Sequence, residues 1–166
     1  MNDQPAFFDL PDPHRHVLAW LLEKIPPGEF PWVLTGSGSL RLNGVDTPVH
    51  DLDIQTDKDT IHLIEKRLAE HMKEPIHSWE SPGMRSLDGK AEIEGIQVEL
   101  LANIAHKLPD GSWGTFTDFS RTVWVELQGL RIPTFPLEDE LAAYVAMGRT
   151  EKAALIRQAL ASRSDD

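Results

Sequence analysis

The sequence predicts an α+β fold: a mixed β-sheet core with flanking helices, closed by two short C-terminal helices. Three observations carry that expectation. Short segments of β-branched, aromatic and aliphatic residues, Trp32–Thr35, Val49–Ile54 and Ile96–Leu101, read as strands. Around them, 17–25 and 61–72 place apolar residues at helical spacing. After Pro75 strand signals follow one another, with two glycine-marked hairpins, before helical spacing returns near Pro136.

Each element has its own reason. Residues 1–12 read as a flexible N-terminal arm containing Phe7-Phe8. Asp12-Pro13 marks a helix start, since Asp can cap and Pro is pre-set for the first helical position. Val17, Leu18, Leu21, Leu22 and Ile25 then line one face, up to the stop at Pro26-Pro27-Gly28. Trp32–Thr35 forms a strand, Ser37–Leu42 a short helix, and Val49–Ile54 the next strand. From Asp59, Ile61, Ile64, Leu68 and Met72 continue at helical spacing. Asp88-Gly89 is expected to turn a hairpin between Met84–Leu87 and Lys90–Ile93, and Gln128-Gly129 another between Thr122–Leu127 and Leu130–Thr134. A helix begins near Pro136 with Glu138-Asp139-Glu140 at its positive end, and a second near Thr150. Residues 162–166 are expected to fray. The chain thus divides into the arm (1–12), a core (13–134) and a C-terminal helical appendage (135–166).

Composition narrows the function. Sixteen Lys and Arg against 27 Asp and Glu give a formal charge of −11. Binding a long nucleic acid draws on clustered basic residues, so DNA or RNA is disfavoured as a partner. A small or cationic acceptor, or a protein, fits better. With no cysteine, disulfides, thiolate metal sites and a Cys nucleophile are excluded. No apolar run is long enough for a transmembrane helix, and the N-terminus lacks a signal-peptide layout, so neither a membrane nor export is expected and the cytoplasm is the expected location. His14 and His16 stand at i and i+2 on a helix and do not face each other, which argues against a histidine zinc site. Most of the five Trp are expected in the core, with Trp79 and Trp113 able to stack on a base or acceptor.

The chemistry is concentrated in Gly36-Ser37 and Asp51-Leu52-Asp53. Glycine lets the backbone turn sharply, and successive N–H groups with the hydroxyls of Ser37 and Ser39 can cradle an anion. Asp51 and Asp53 stand at i and i+2, which in an extended strand point to one face. Two such carboxylates repel unless a cation joins them, and Mg²⁺ usually takes one or two carboxylates plus substrate phosphates.

Trp32 to Ile54 resembles the polymerase-β-like nucleotidyltransferase superfamily: a strand, a Gly-Ser turn, a short helix, then an Asp-x-Asp strand. The chain looks most like its minimal and antibiotic-modifying members. A weaker similarity covers Leu137 to Lys152, where Tyr144, Met147-Gly148-Arg149 and Lys152 resemble the helices that follow the catalytic sheet. The resemblance implies a nucleotidyltransferase-like core that moves a nucleoside monophosphate from a nucleoside triphosphate, ATP above all, to a hydroxyl of a small molecule or protein. It further implies Mg²⁺ or Mn²⁺ on Asp51, Asp53 and a third acid, with Gly36, Ser37, Ser39 and Arg41 at the nucleotide. Glu99 is the expected third acid, on the face of its strand opposite Ile96, Val98 and Leu100; Glu92, Glu94 and Glu126 compete. His50 adjoins the Asp pair, and Arg149 and Lys152 are within the similar stretch. The rival reading is a catalytically weak binding module, for example half of a toxin–antitoxin pair. Template-directed polymerisation is disfavoured by the acidity and the short chain.

Overall fold

Strand β1 (Trp32–Thr35) is buried on both faces and runs without a linker into helix α2 (Gly36–Leu42). A loop returns the chain as β2 (Leu52–Thr56), antiparallel to β1. This is the hub of the computed structural model, which describes residues 8–114 and 121–164. The chain order is α1 (Asp12–Lys24), β1, α2, β2, α3 (Thr60–Arg67), β3 (Met72–Glu80), β4 (Met84–Ile93), β5 (Ile96–His106), β6 (Val123–Leu127), β7 (Leu130–Thr134), α4 (Leu137–Ala146) and α5 (Thr150–Ser164). Seven strands form one sheet in the order β3-β4-β5-β2-β1-β7-β6. The β2–β5 and β1–β7 pairs are parallel and the others antiparallel, which makes the sheet mixed as expected.

One sheet face is sealed by α1 and α3. Val17, Leu18, Leu21, Ile61 and Ile64 meet Ile54, Val98 and Leu100 in the main core, and Trp32 anchors its edge by donating its indole N–H to the Ile25 carbonyl at 2.7 Å. A smaller core joins the C-terminal helices to α2, with Leu137, Tyr144 and Ile156 packed on Leu40 and Val45. Among the described residues, no helix is long and apolar enough to cross a membrane.

Several sequence expectations are corrected. Asp12 does not cap α1: it lies in the first turn and pairs with Arg15 at 2.7 Å, while Pro11 holds the cap position. Helix α3 stops at Arg67, a short 3₁₀ turn covers Ala69–His71, and Met72 already belongs to β3. Pro75 sits inside β3, which is tolerable because that strand is at the sheet edge. Asp88-Gly89 is not a turn. Strand β4 runs straight through it, and the chain reverses at Glu94-Gly95, whose φ values of 50° and 82° suit a type I′ turn. Helix α5 continues through 162–164 rather than fraying there; residues 165 and 166 lie outside the described ones. Of the N-terminal arm, residues 1–7 also lie outside them. Residues 8–10 are docked: the Phe8 N–H donates to the Arg41 carbonyl at 2.9 Å and Leu10 is buried. Of the five Trp, only Trp32 is fully enclosed. Trp79 and Trp124 are exposed, and Trp113 is covered by the Arg85 guanidinium 4.6 Å from its ring centre.

Candidate active site

The β1–α2 junction is built around Gly36. Its φ of +68° is a conformation that residues with side chains rarely adopt, and a Cβ there would lie 2.2 Å from Asp53 Oδ2. Its N–H donates to Glu140 Oε1 on α4 at 3.0 Å. Gly36 is therefore clamped between one carboxyl on β2 and another on a helix far along the chain. Ser37 follows in the first turn of α2, partly exposed.

The parallel register of β2 and β5 places Asp53 directly opposite Glu99. The alternation of β5 does the rest: Val98, Leu100 and Ala102 enter the core, leaving Gln97, Glu99 and Leu101 on the other face. Asp51 immediately precedes β2, and its Oδ2 accepts a hydrogen bond from Gln97 Nε2 at 3.0 Å. Asp88, one strand further, shares a hydrogen bond with Glu99, and its Oδ1 is buried with no partner among the described residues. Burial first, then the charges of Asp51 and Asp88, pushes Asp53 up to about 7. Burial, then Asp88 and Asp53, pushes Glu99 up to about 8. Burial also raises Asp88.

Asp53 and Glu99 line a cavity of about 240 Å³ together with Thr35, Gly36, Gln55, Phe135, Glu140, Tyr144 and Arg149, while Asp51 and Asp88 stand just off its wall. Glu140 is 4% exposed, and burial holds its carboxyl up to about 8 against the Gly36 hydrogen bond, which favours ionisation. The Arg149 guanidinium lies 5.1 Å from the Tyr144 ring centre and draws the Asp53 carboxyl downward. Lys152 points instead to the Thr47 hydroxyl, in a second surface hollow that Arg149 also lines.

The other sequence-nominated residues are placed elsewhere. Ser39 is fully buried, and its hydroxyl accepts the Phe135 N–H at 3.3 Å. Arg41 donates to the Asp9 and Thr47 carbonyls and pairs with Asp46 at 3.6 Å. The structure does not bring either side chain to the cavity. Glu92, Glu94 and Glu126 are all exposed and line no part of it. His50 is exposed, and its carbonyl contacts His14 Nε2 at 2.8 Å. Trp79 and Trp113 lie off the cavity wall. Sequence reasoning missed Asp88 and Glu140. Asp88 was hidden by its turn-like Asp-Gly pair, whereas Glu140 carried a legible signal. It stands at i+3 from Leu137 and i−4 from Tyr144, so it shares their buried stripe.

The donor chemistry suits a hard divalent cation. Asp53 and Glu99 face each other with raised affinity for protons, and an orphaned carboxylate oxygen on Asp88 lies beside them. Among the described residues no three acids or histidines converge into a complete ligand set. Magnesium needs none, because it keeps waters and takes substrate phosphates beside one or two carboxylates.

The model of the aminoglycoside-2''-adenylyltransferase family matches residues 17–158. The chain belongs to that family. The protein is accordingly a nucleotidyltransferase. Among solved structures it is similar to a candidate nucleotidyltransferase of Thermotoga maritima, with 33% identity and a TM-score of 0.80 over 93% of this chain and 97% of that one. The lincosamide antibiotic adenylyltransferase LnuA, solved with lincomycin bound, shares the fold at 18% identity and a TM-score of 0.60, covering 93% of this chain and 99% of its own. No curated protein matches the sequence.

Proposed function

We propose that this nucleotidyltransferase moves AMP from ATP to a hydroxyl of a small molecule, with Mg²⁺ or Mn²⁺ held by Asp51 and Asp53. The observation that carries the reading is the pairing of Asp53 with Glu99 across β2 and β5, on the wall of a cavity whose corner is Gly36. When bound, the cation neutralises phosphate charge and stabilises the leaving oxygen.

The chain's own residues divide the remaining work. Ser37 and the N–H groups at the start of α2 hold the terminal phosphates, which fixes the triphosphate against Asp53. Arg149, exposed on the cavity rim, offers a counter-charge to them. Glu99 takes the proton of the acceptor hydroxyl. The acceptor oxygen then bonds the α-phosphorus as the bond to the bridging oxygen breaks, and pyrophosphate leaves. A general base of this kind contributes about 10²–10⁴-fold. The C-terminal unit, 135–166, closes the cavity through Glu140, Tyr144 and Arg149. A charge of −11 suits a cationic or amine-bearing acceptor better than a nucleic acid, and the supply of ATP suits the cytoplasm.

Calorimetric titration with a non-hydrolysable ATP analogue and Mg²⁺ tests the nucleotide half. The Asp51→Asn, Asp53→Asn double variant is expected to lose Mg²⁺-dependent binding while staying folded; unchanged affinity would overturn the metal assignment. Glu99→Gln is expected to bind the analogue almost normally and to release pyrophosphate at least a hundredfold more slowly, because a base acts mainly in the transition state. Release at the wild-type rate would make Glu99 a bystander.

A further inference from the structure

The cavity has a second end, and its polarity is not explained by phosphate or metal. Beyond Asp53 and Glu99 it is walled by Met84, Leu101, Ile104 and His106. On an unbroken strand, residues that share a face are two apart, so Leu101 would be followed by Asn103 and Ala105. Instead Ile104 and His106 face the cavity. The cause is Asn103, whose φ of +57° is in the left-handed region. The register of β4 and β5 slips at the same place: Leu87 is opposite Ala102, whereas Arg85 is opposite Ala105. One extra residue on β5 has thus been spent in a bulge that turns the rest of the strand over. Without it, Ile104 and His106 would lie on the opposite face. Bulges next to active sites re-aim side chains in this way, and a non-glycine residue held at positive φ costs energy that the surrounding structure must over-determine.

What the bulge delivers is a polar group with nothing to bind. His106 Nδ1 is buried and has no hydrogen-bond partner among the described residues. Ser86 is 6% exposed and shares the face of β4 that carries Met84 and Asp88; its hydroxyl is also buried without a partner. Buried polar atoms in native proteins are nearly always satisfied, so an orphan beside a cavity calls for a ligand or water. Burial lowers the proton affinity of His106, which leaves a neutral ring with one donor and one acceptor. Around it are leucine, isoleucine and methionine.

We propose that His106, aimed by the Asn103 bulge, is a specificity-determining residue for the acceptor: it hydrogen-bonds a hydroxyl other than the one that reacts, on an acceptor whose apolar side lies against Leu101 and Ile104. What the site adds to the acceptor is thus a second hydrogen-bonding group set beside an apolar edge. This inference rests on the nucleotidyltransferase reading above but concerns the opposite end of the cavity, so the two can fail separately.

The test uses the full chain with Mg²⁺ and the non-hydrolysable ATP analogue, and lincomycin and kanamycin as acceptor probes. Isotope-labelled histidine ring signals are followed by NMR, and transfer kinetics by pyrophosphate release from ATP. At least one probe is expected to shift the His106 ring signals. For that probe, His106→Leu is expected to raise KM tenfold or more with kcat and analogue affinity within twofold of wild type. His106→Asn, which keeps a donor and an acceptor, should recover part of the loss. Asn103→Val, whose branched side chain disfavours positive φ, should raise KM in the same manner if it folds; if it does not, the His106 pair decides alone. Unchanged KM in His106→Leu overturns the proposal. So does the absence of any His106 shift with either probe while the analogue still binds, an outcome that leaves the nucleotide reading standing. Loss of analogue binding in wild type would instead remove the reading on which the proposal rests.

Discussion

The two faces of β5 are built from alternate residues of one strand, yet they obey opposite rules. Towards α1 and α3 stand Val98, Leu100 and Ala102, all fully buried among aliphatic side chains. Towards the cavity stand Gln97, Glu99 and Leu101, where Glu99 is crowded by Asp53 and Asp88. The first face removes apolar surface from water and stabilises the fold. The second gathers like charges away from water, which a sequence selected for stability alone would avoid. Carboxyls pushed up by burial and by one another at a cavity are the pattern expected where a chain gives up stability for chemistry. A spacing of one residue separates the two roles, so neighbouring substitutions should have opposite outcomes.

The largest effect is expected from Leu100→Ala. Removing a fully buried leucine costs about 2–5 kcal/mol, read as a lower midpoint in thermal or denaturant unfolding, with nucleotide affinity retained in the surviving folded fraction. Glu99→Gln next to it should leave the midpoint unchanged or raise it. If both variants lose stability equally, the two faces are not divided as described.

The pH dependence of the metal-free protein sharpens the contrast further. Asp53, Glu99 and Glu140 bind their protons more tightly folded than unfolded, with values near 7, 8 and 8. Between the ordinary carboxyl range and these values the unfolded chain ionises first, so stability is present at low pH and is lost as pH rises through about 4 to 8. The melting temperature of the metal-free protein should fall across that interval, and Mg²⁺ should restore it more at pH 8 than at pH 6. A profile that rises instead would mean that these acids are stabilised as anions.

The smallest effect is expected at Ser37. Its hydroxyl does not cap α2, whose cap position is Thr35, so Ser37→Ala should barely change the melting point. Loss of a hydrogen bond to a charged phosphate is worth about 1.5–3 kcal/mol, or roughly a tenfold or greater fall in triphosphate affinity by calorimetry. A stability loss without an affinity loss would return Ser37 to the scaffold.

How far the sequence could be read depends on which physical constraint each residue answers to. Gln128-Gly129 and Asp88-Gly89 look alike on paper. At Gln128-Gly129 both φ values are positive, 48° and 85°, and the dipeptide makes the expected hairpin. Gly89 has another purpose: a Cβ there would lie 2.4 Å from Ile76 Cδ1 and 3.3 Å from the Glu74 carbonyl, so glycine makes room for the edge strand β3. That is a contact between strands, invisible to a local reading, and it concealed Asp88. Asp53 and Glu99 were legible because strand alternation fixes which face a residue takes. His106 was not, because one residue, Asn103, reverses that alternation and nothing nearby in the chain announces it. Ser39 and Arg41 were nominated by proximity to the glycine turn, but a seven-residue helix points them into the interior and towards the docked arm.

The hydrogen bond from Gly36 to Glu140 joins residues 104 positions apart, and that separation sets a timetable for synthesis. At about 5–20 residues per second, roughly 5–20 s pass between the appearance of the turn and that of its partner. Over that interval the nascent chain already contains Asp51, Asp53 and, soon after, Glu99, but not the helix that holds Gly36 in place. The corner of the cavity at Gly36 is therefore among the last parts of the molecule to be completed, although its signature residues are among the first to be made.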